Sequence, residues 1–264
     1  MARLAIVSDI HGNSIAFEAV LRDIDRRKVD AVLCLGDIVG YGPEPAECIA
    51  MVRRACRLAI RGNHEDALFD PTETRSWHAV ARLAIAYTQR VLSAEELAFL
   101  RELPGSFSIP GAILGVHDSP VPTEASSNYL RAVGDFARAF RGVEDPICLV
   151  GHTHVPALYT TAVVNALAPL ALDDVDAHRI VLGEENAGSA SATLAIPRGA
   201  RTILNPGSVG QPRDGDARAS YAILDLAYST AEFHRVRYDI ELAARRSVEA
   251  GLPLLLSERL ALGA

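Results

Sequence analysis

Five short apolar runs, each releasing an Asp, Asn or His at its end, constrain this chain more than any other feature. RLAIVS (3–8) leads into Asp9 and His11, and AVLCLG (31–36) leads into Asp37. RLAIRG (57–62) is followed by Asn63 and His64, GAILGVH (111–117) ends on His117, and ICLVGH (147–152) delivers His152 and then His154. Between the runs lie stretches with helical periodicity, such as SIAFEAVLRDIDRRK, where Phe17, Val20, Leu21 and Ile24 share one face. EPAECIAMVRRA has Pro45 placed to open a helix, and SAEELAFLREL begins with Ser93 and Glu96 in capping-box spacing. SWHAVARLAIAYTQRVL and a segment at about 128–141 read as further helices. Strands alternating with helices predict a mostly parallel sheet in an α/β fold. The carboxyl edge of such a sheet is where ligands bind, so the polar residues should converge on one rim.

After residue 155 the pattern changes. Residues 162–200 are Ala-rich with little periodicity and read as irregular hairpins or a long excursion, the expected wall for substrate selection. RTILNPGS, SYAILDL and TAEFHRVRY follow without long helices between them, which predicts a second, largely antiparallel sheet. DIELAARRSVEAG and PLLLSERLAL close the chain as two helices. No strong linker interrupts this order, so the expectation is one domain over residues 1–264.

Composition narrows the partners. A net charge of −7 argues against a nucleic-acid coat or a polybasic membrane binder, and no stable nucleic-acid binding is expected. Val155–Leu172 carries no charge over a spanning length, yet its prolines, Asn165 and paired threonines argue against a membrane span. The amino terminus is too short in apolar residues for a signal peptide, and Cys34, Cys48, Cys56 and Cys148 form no CxxC pair. These features predict a cytoplasmic protein with reduced thiols; a homo-oligomer is compatible with them.

Carboxylates, imidazoles and one amide without thiolate suit two divalent transition-metal ions, Mn, Fe, Zn, Co or Ni. A carboxylate can bridge two cations and offset their repulsion, an arrangement suited to phosphoryl displacement. Asp9-x-His11, Gly36-Asp37, Gly62-Asn63-His64-Glu65, His117 and Gly151-His152-Thr153-His154 resemble, in order, the motif blocks of the calcineurin-like metallophosphoesterases. SDIHGN, GDIVGYGP and NPGSVGQPRDG (205–215) resemble the small bacterial and archaeal phosphodiesterase-type branch.

That resemblance implies a four-layer αββα sandwich of two mixed sheets with a dinuclear centre. One metal would take Asp9, His11, Asp37 and His154, and the other Asp37, Asn63, His117 and His152. It further implies hydrolysis of a small-molecule or nucleotide-type phosphodiester by hydroxide held between the metals. Asp37 bridges in this scheme, and His64 stabilises the transition state or protonates the leaving oxygen. Strand alternation alone would put His152 and His154 on one ion, whereas the resemblance sends them to different ions.

Departures qualify the reading. Gly40-Tyr41 and Asp66-Ala67-Leu68 stand where protein phosphatases carry arginines that grip a monoester dianion. Arg213 is the nearby substitute. The fourth block reads His117-Asp118 where the family has His-Gly, placing an extra carboxylate beside the metals. The rival readings are a phosphomonoesterase (a protein phosphatase or dinucleoside polyphosphatase) and a non-catalytic scaffold of the same fold. Asn13 either caps the following helix or approaches a phosphate oxygen. Asn205-Pro-Gly-Ser reads first as a tight turn, with Ser208 and Arg213 as candidate site residues. His78, His178 and His234 read as surface, loop or lightly packed residues, and the acidic run at 173–176 as solvated.

Overall fold

Leu4 and Ile6 of the first strand enter one hydrophobic core, while the alternate residues Ala5 and Val7 enter another. A strand that is apolar on both faces must be covered on both, and the rest of the fold supplies the covers. The computed structural model describes residues 2–121, 128–161, 175–179 and 189–264.

The described strands are β1 (Arg3–Val7), β2 (Ala31–Cys34), β3 (Leu58–Ala59), β4 (Ser106–Ile109), β5 (Ile113–Val116), β6 (Ile147–Leu149), β7 (Ala157–Thr161), β8 (Val175–Arg179), β9 (Ser189–Ala195), β10 (Thr202–Asn205), β11 (Ala219–Asp225) and β12 (Thr230–Val236). The helices are α1 (Ser14–Asp25), α2 (Pro45–Ala55), α3 (Asn63–Ala67), α4 (Ala79–Val91), α5 (Ala94–Glu102), α6 (Val133–Arg141), α7 (Ile240–Glu249) and α8 (Leu254–Leu262).

Two six-stranded sheets form, in the orders β3-β2-β1-β11-β12-β9 and β4-β5-β6-β10-β7-β8. In the first, β1, β2 and β3 are parallel, and β11, β12 and β9 run antiparallel. In the second, β5, β6 and β10 are parallel, and β4, β7 and β8 run antiparallel. Both sheets are mixed. This corrects the expectation, drawn from periodicity, of one mostly parallel and one antiparallel sheet. The five apolar runs divide three and two between the sheets, and each sheet is completed by strands from the carboxyl-terminal part of the chain. Which sheet a buried strand joins is a long-range choice that its own residues do not encode.

The inner faces meet in a core that includes Leu4, Ile6, Leu33, Leu149, Leu204 and Phe233. On the outer face of the first sheet, Phe17, Val20 and Ile24 of α1 and Cys48, Ile49 and Val52 of α2 close a second core. On the outer face of the other sheet, Phe136 and Phe140 of α6 pack with Cys148 and Ile203.

Several local expectations are corrected. The helix expected at about 128–141 begins only at Val133. β8 and β9 fall inside the stretch read as irregular, and each joins a different sheet. His178 therefore lies on a strand instead of a loop. Residues 162–174 and 180–188 of that stretch, Asp173 and Asp174 included, lie outside the described residues. Ala157–Thr161 of the uncharged segment forms β7, and residues 162–172 lie outside the description. Among the described residues no helix is long and apolar enough to cross a membrane. His234, expected near the surface, is 1% exposed because it faces Tyr221 in register across β11 and β12 and stacks on that ring.

Beneath that ring pair lies a buried charge. Burial alone would raise the Asp23 carboxyl, but hydrogen bonds donated by Arg27, Tyr221 and Arg26 overturn it and hold it at about 2. Because the folded value is depressed, the stabilisation is complete above roughly pH 4 and disappears as pH falls through about 2. Asp23→Asn should therefore lower stability at neutral pH by about 2 kcal/mol. The wild-type advantage should shrink toward zero between pH 4 and 2, as read from urea unfolding of both proteins. A difference independent of pH would remove the ion-pair explanation.

Candidate metal centre

All six parallel strands point their carboxyl ends at one place. β1 releases Asp9 and His11, β2 releases Asp37, and β3 releases Asn63 and His64; β5 releases His117, and β6 releases His152 and His154. β10 feeds the same rim with the loop from Asn205 to Arg213. The chain turns sharply at these points. Asp9, His11, Asp37, His152 and His154 all have positive φ, between 51° and 65°. Asp and His tolerate this left-handed region better than most residues, and such strain gathers at functional sites.

The turns gather the side chains into two groups. Asp9, His11, Asp37 and His154 form one, and Asp37, His117 and His152 form the other, with the donor atoms of each group within 4.8 Å of one another. Asp37 belongs to both: its Oδ2 lies 3.6 Å from His11 Nε2 and 3.3 Å from His117 Nε2. The Asn63 Oδ1 lies 3.1 Å from His117 Nε2, beside the second group. His152 and His154 fall in different groups. After β6 ends at Leu149 neither is on a strand, and their left-handed turns cancel the alternation that would have put them on one side.

The protonation pattern of these imidazoles tests whether a metal fits. The Nδ1 of His11 faces the Val39 carbonyl at 3.2 Å, that of His117 the Leu35 carbonyl at 2.8 Å, and that of His154 the Gln211 carbonyl at 2.5 Å. A carbonyl oxygen only accepts, so each Nδ1 carries the proton, and the neutral rings of His11 and His154 present their Nε2 lone pairs. Yet the Nε2 atoms of His11 and His154 face each other at 3.1 Å, and His154 Nε2 lies 3.3 Å from Asp9 Oδ1, a buried oxygen without a hydrogen-bond partner. Acceptors converging on acceptors repel unless a cation stands among them.

The electrostatics agree. Burial, seconded by Asp37, pushes the Asp9 carboxyl up to about 6, and burial drives His11 and His154 well below the ordinary imidazole range. Burial also pulls on His117, but the Asp37 carboxylate outweighs it and draws a proton there, lifting it to about 10. A site that captures a proton so strongly offers the same charge to a metal ion.

His64 stands beside the donor groups and belongs to neither. Its backbone N–H donates to Asp37 Oδ1 at 2.9 Å, and its ring packs edge-on against His11 and Tyr41 and tilted against Trp77. Burial, opposed in part by Asp37, lowers it to about 4, so the resting ring is neutral. Gly40 makes room for it: a β-carbon there would sit 2.0 Å from His64 Nδ1.

The supporting residues were the part hidden from sequence reading. Glu65 accepts from the backbone N–H groups of Asp37 at 2.9 Å, Gly62 at 2.7 Å and Val39 at 3.1 Å, tying the β2 turn to the start of α3. Its place at the third position after Gly62 was the available signal, since a glutamate there commonly reaches back to the helix start. Asn205 donates to the Gly151 carbonyl and Thr153, Ser208 Oγ donates to the Asp9 carbonyl at 2.8 Å, and Gln211 receives His154. The segment read as a tight turn thus clasps the Asp9 and His152–His154 turns together.

Asn13 resolves toward its capping alternative. Its Oδ1 accepts from Ala16 N–H at 3.1 Å and its Nδ2 donates to the Gly210 carbonyl at 3.0 Å, which engages both amide atoms within the protein. Arg213 does reach the cavity beside the donor groups. Its guanidinium lies 5.5 Å from the Tyr41 ring centre, and its buried Nε has no partner. Asp118 lines the same cavity and accepts a hydrogen bond from Asn128 at 2.9 Å.

Comparison with known proteins agrees with this geometry. A protein of Methanocaldococcus jannaschii of uncharacterized role is 35% identical over 263 residues, 98% of each chain. The crystal structure of a metallophosphoesterase from Sphaerobacter thermophilus is 39% identical, with a TM-score of 0.80 over 100% of this chain and 99% of that one. A hypothetical protein from Pyrococcus horikoshii shares the fold at 20% identity, with a TM-score of 0.73 over 100% and 99% of the two chains. Residues 2–229 match the model of the calcineurin-like phosphoesterase superfamily domain. With the motif residues gathered at one rim and the match running through nearly the whole chain, this protein belongs to the calcineurin-like phosphoesterase superfamily of phosphoester hydrolases.

Proposed function

We propose that this chain is a dinuclear metal-dependent phosphoesterase acting on phosphodiesters. The observation that carries the reading is the sharing of Asp37 between two donor groups, in the first of which the His11 and His154 lone pairs point at other acceptors. Asp9, His11, Asp37 and His154 would hold one divalent ion, and Asp37, Asn63, His117 and His152 the other. When bound, such ions supply positive charge to phosphoryl oxygens and make water acidic enough to act as a nucleophile near neutral pH.

The remaining work falls to the protein. Glu65, Asn205 and Ser208 hold the ligand turns in place through backbone groups. His64, with Nδ1 buried against Gly40, has Nε2 available to meet an oxygen of the bound ester and stabilise the charge that develops there. Metal analysis of the purified protein, followed by a panel of diesters and monoesters with each metal restored, tests the proposal. A stoichiometric metal content without turnover of any phosphate ester would favour the scaffold reading instead.

Monoester hydrolysis keeps a claim because of Arg213. Its guanidinium stands in the cavity where the protein-phosphatase arginines are missing, with an unpaired Nε, and the Arg235–Asp214 ion pair anchors the adjacent residue. A monoester dianion gains more from a guanidinium than a diester monoanion does. Arg213→Ala should therefore lower kcat/KM for p-nitrophenyl phosphate by roughly 10²-fold and for bis-p-nitrophenyl phosphate by about 10-fold or less. Equal losses on the two esters would mean that Arg213 supports the cavity wall without reading phosphate charge.

A further inference from the structure

We propose that Trp77 is a stacking platform for a nucleobase, which makes the substrate a nucleotide ester. This rests on the phosphoesterase reading above and narrows it. The cavity at the donor groups measures about 490 Å³, well beyond the needs of a phosphoryl group alone. Trp77, half-buried, lines it and is the only tryptophan of the chain. Its ring lies 4.7 Å from that of His64, which places the platform within one ring of the proposed chemistry.

The other aromatic side chains of the cavity are already engaged. The Tyr129 ring stacks on His152 at 4.1 Å and has the Arg131 guanidinium over it at 4.3 Å, while Tyr41 packs against His11, His64 and Arg213. Trp77 packs against the core closed by α1 and α2 and against the His64 ring, and among the described residues no guanidinium stands over its own ring.

The platform also has polar neighbours. Glu73, Ser76 and His78 line the same cavity from the turn that carries Trp77. A carboxylate, a hydroxyl and an imidazole lining the same cavity as an indole suit the exocyclic amino groups and ring nitrogens of a heterocyclic base. A plain phenyl ring offers nothing for them to bond. Arg259 of α8 and Arg213 also line the cavity and supply cationic charge for the phosphate portion.

Because Trp77 is the sole tryptophan, its emission reports occupancy without turnover. Metal-loaded protein would be titrated with hydrolysis-resistant phosphonate analogues of AMP, ribose 5-phosphate and phenyl phosphate. The AMP analogue should quench emission and bind at least about 5-fold more tightly than either other compound, in line with the worth of one base stack. By calorimetry, Trp77→Ala should weaken the AMP analogue by roughly 10-fold and leave the ribose analogue unchanged, and Trp77→Phe should recover most of the loss.

Equal affinity for the AMP and phenyl analogues would overturn base recognition. A parallel loss for all three compounds in Trp77→Ala would reduce Trp77 to a support for His64, and failure of the AMP analogue to bind would also overturn the proposal. Failure of the phosphoesterase reading would appear separately, as absence of hydrolysis of every ester by the wild-type enzyme.

Discussion

Asp37→Asn should leave a folded protein with turnover reduced by at least roughly 10³-fold and with less bound metal. The carboxylate Oδ2 is the atom common to both donor groups, 3.6 Å from His11 Nε2 and 3.3 Å from His117 Nε2. Its charge is what would offset the repulsion between two cations held so close. An asparagine keeps the shape, and its carbonyl can still accept the His64 N–H that Asp37 Oδ1 accepts at 2.9 Å. It would then turn an N–H₂ toward the metals, where only acceptors are useful. Elemental analysis and initial rates on bis-p-nitrophenyl phosphate measure both effects. Near-normal turnover would end the shared-carboxylate assignment.

His64→Ala should give the opposite pattern, with metal content retained and rate lost by roughly 10²–10⁴-fold. His64 contributes no donor atom to either group, so its removal leaves the ligands in place. What is lost is a neutral imidazole, lowered to about 4 chiefly by burial, packed between Tyr41, His11 and Trp77. In that state it approaches an anionic ester without a charge of its own, and the arriving phosphate favours its protonation. Loss of rate should fall on esters with poor leaving groups more than on p-nitrophenyl esters, whose leaving oxygen needs little help from an acid. Metal loss accompanying the rate loss would place His64 among the ligands instead.

The clustering of Asp9, His11, Asp37, His117, His152 and His154 is legible because each stands where an apolar run stops, and a chain that turns at the end of a buried strand exposes whatever comes next. Asn63 and His64 illustrate the limit. Both follow the same run, yet one stands beside the second donor group and the other stands apart, a distinction set by the short helix α3. The sheet assignments were hidden for a different reason. β1 and β6 are equally apolar, and nothing in either says that one pairs with β11 and the other with β10. The sequence of β12 puts His234 at the surface or in light packing, because histidine commonly sits there; its burial comes from register with Tyr221 on a neighbouring strand, a long-range fact. β7 went unnoticed because ALYTT carries too weak an alternation to stand out from its surroundings.

The late strands bear on synthesis as well as on stability. The six clustered residues and Asn63 lie within the first 154 positions, but β1 acquires its second neighbour only through the pairing of Arg3 with Asp225. β6 likewise waits for β10, whose following loop clasps the Asp9 and His154 turns. A nascent chain emerging from the ribosome therefore carries all of these side chains for tens of residues before it has the strands that aim them. Pairings so distant along the chain close slowly. Until they close, the amino-terminal half exposes strand edges that invite mispairing with other chains. A fragment ending near residue 155 should accordingly be aggregation-prone even though all five motif blocks from Asp9 to His154 are present in it.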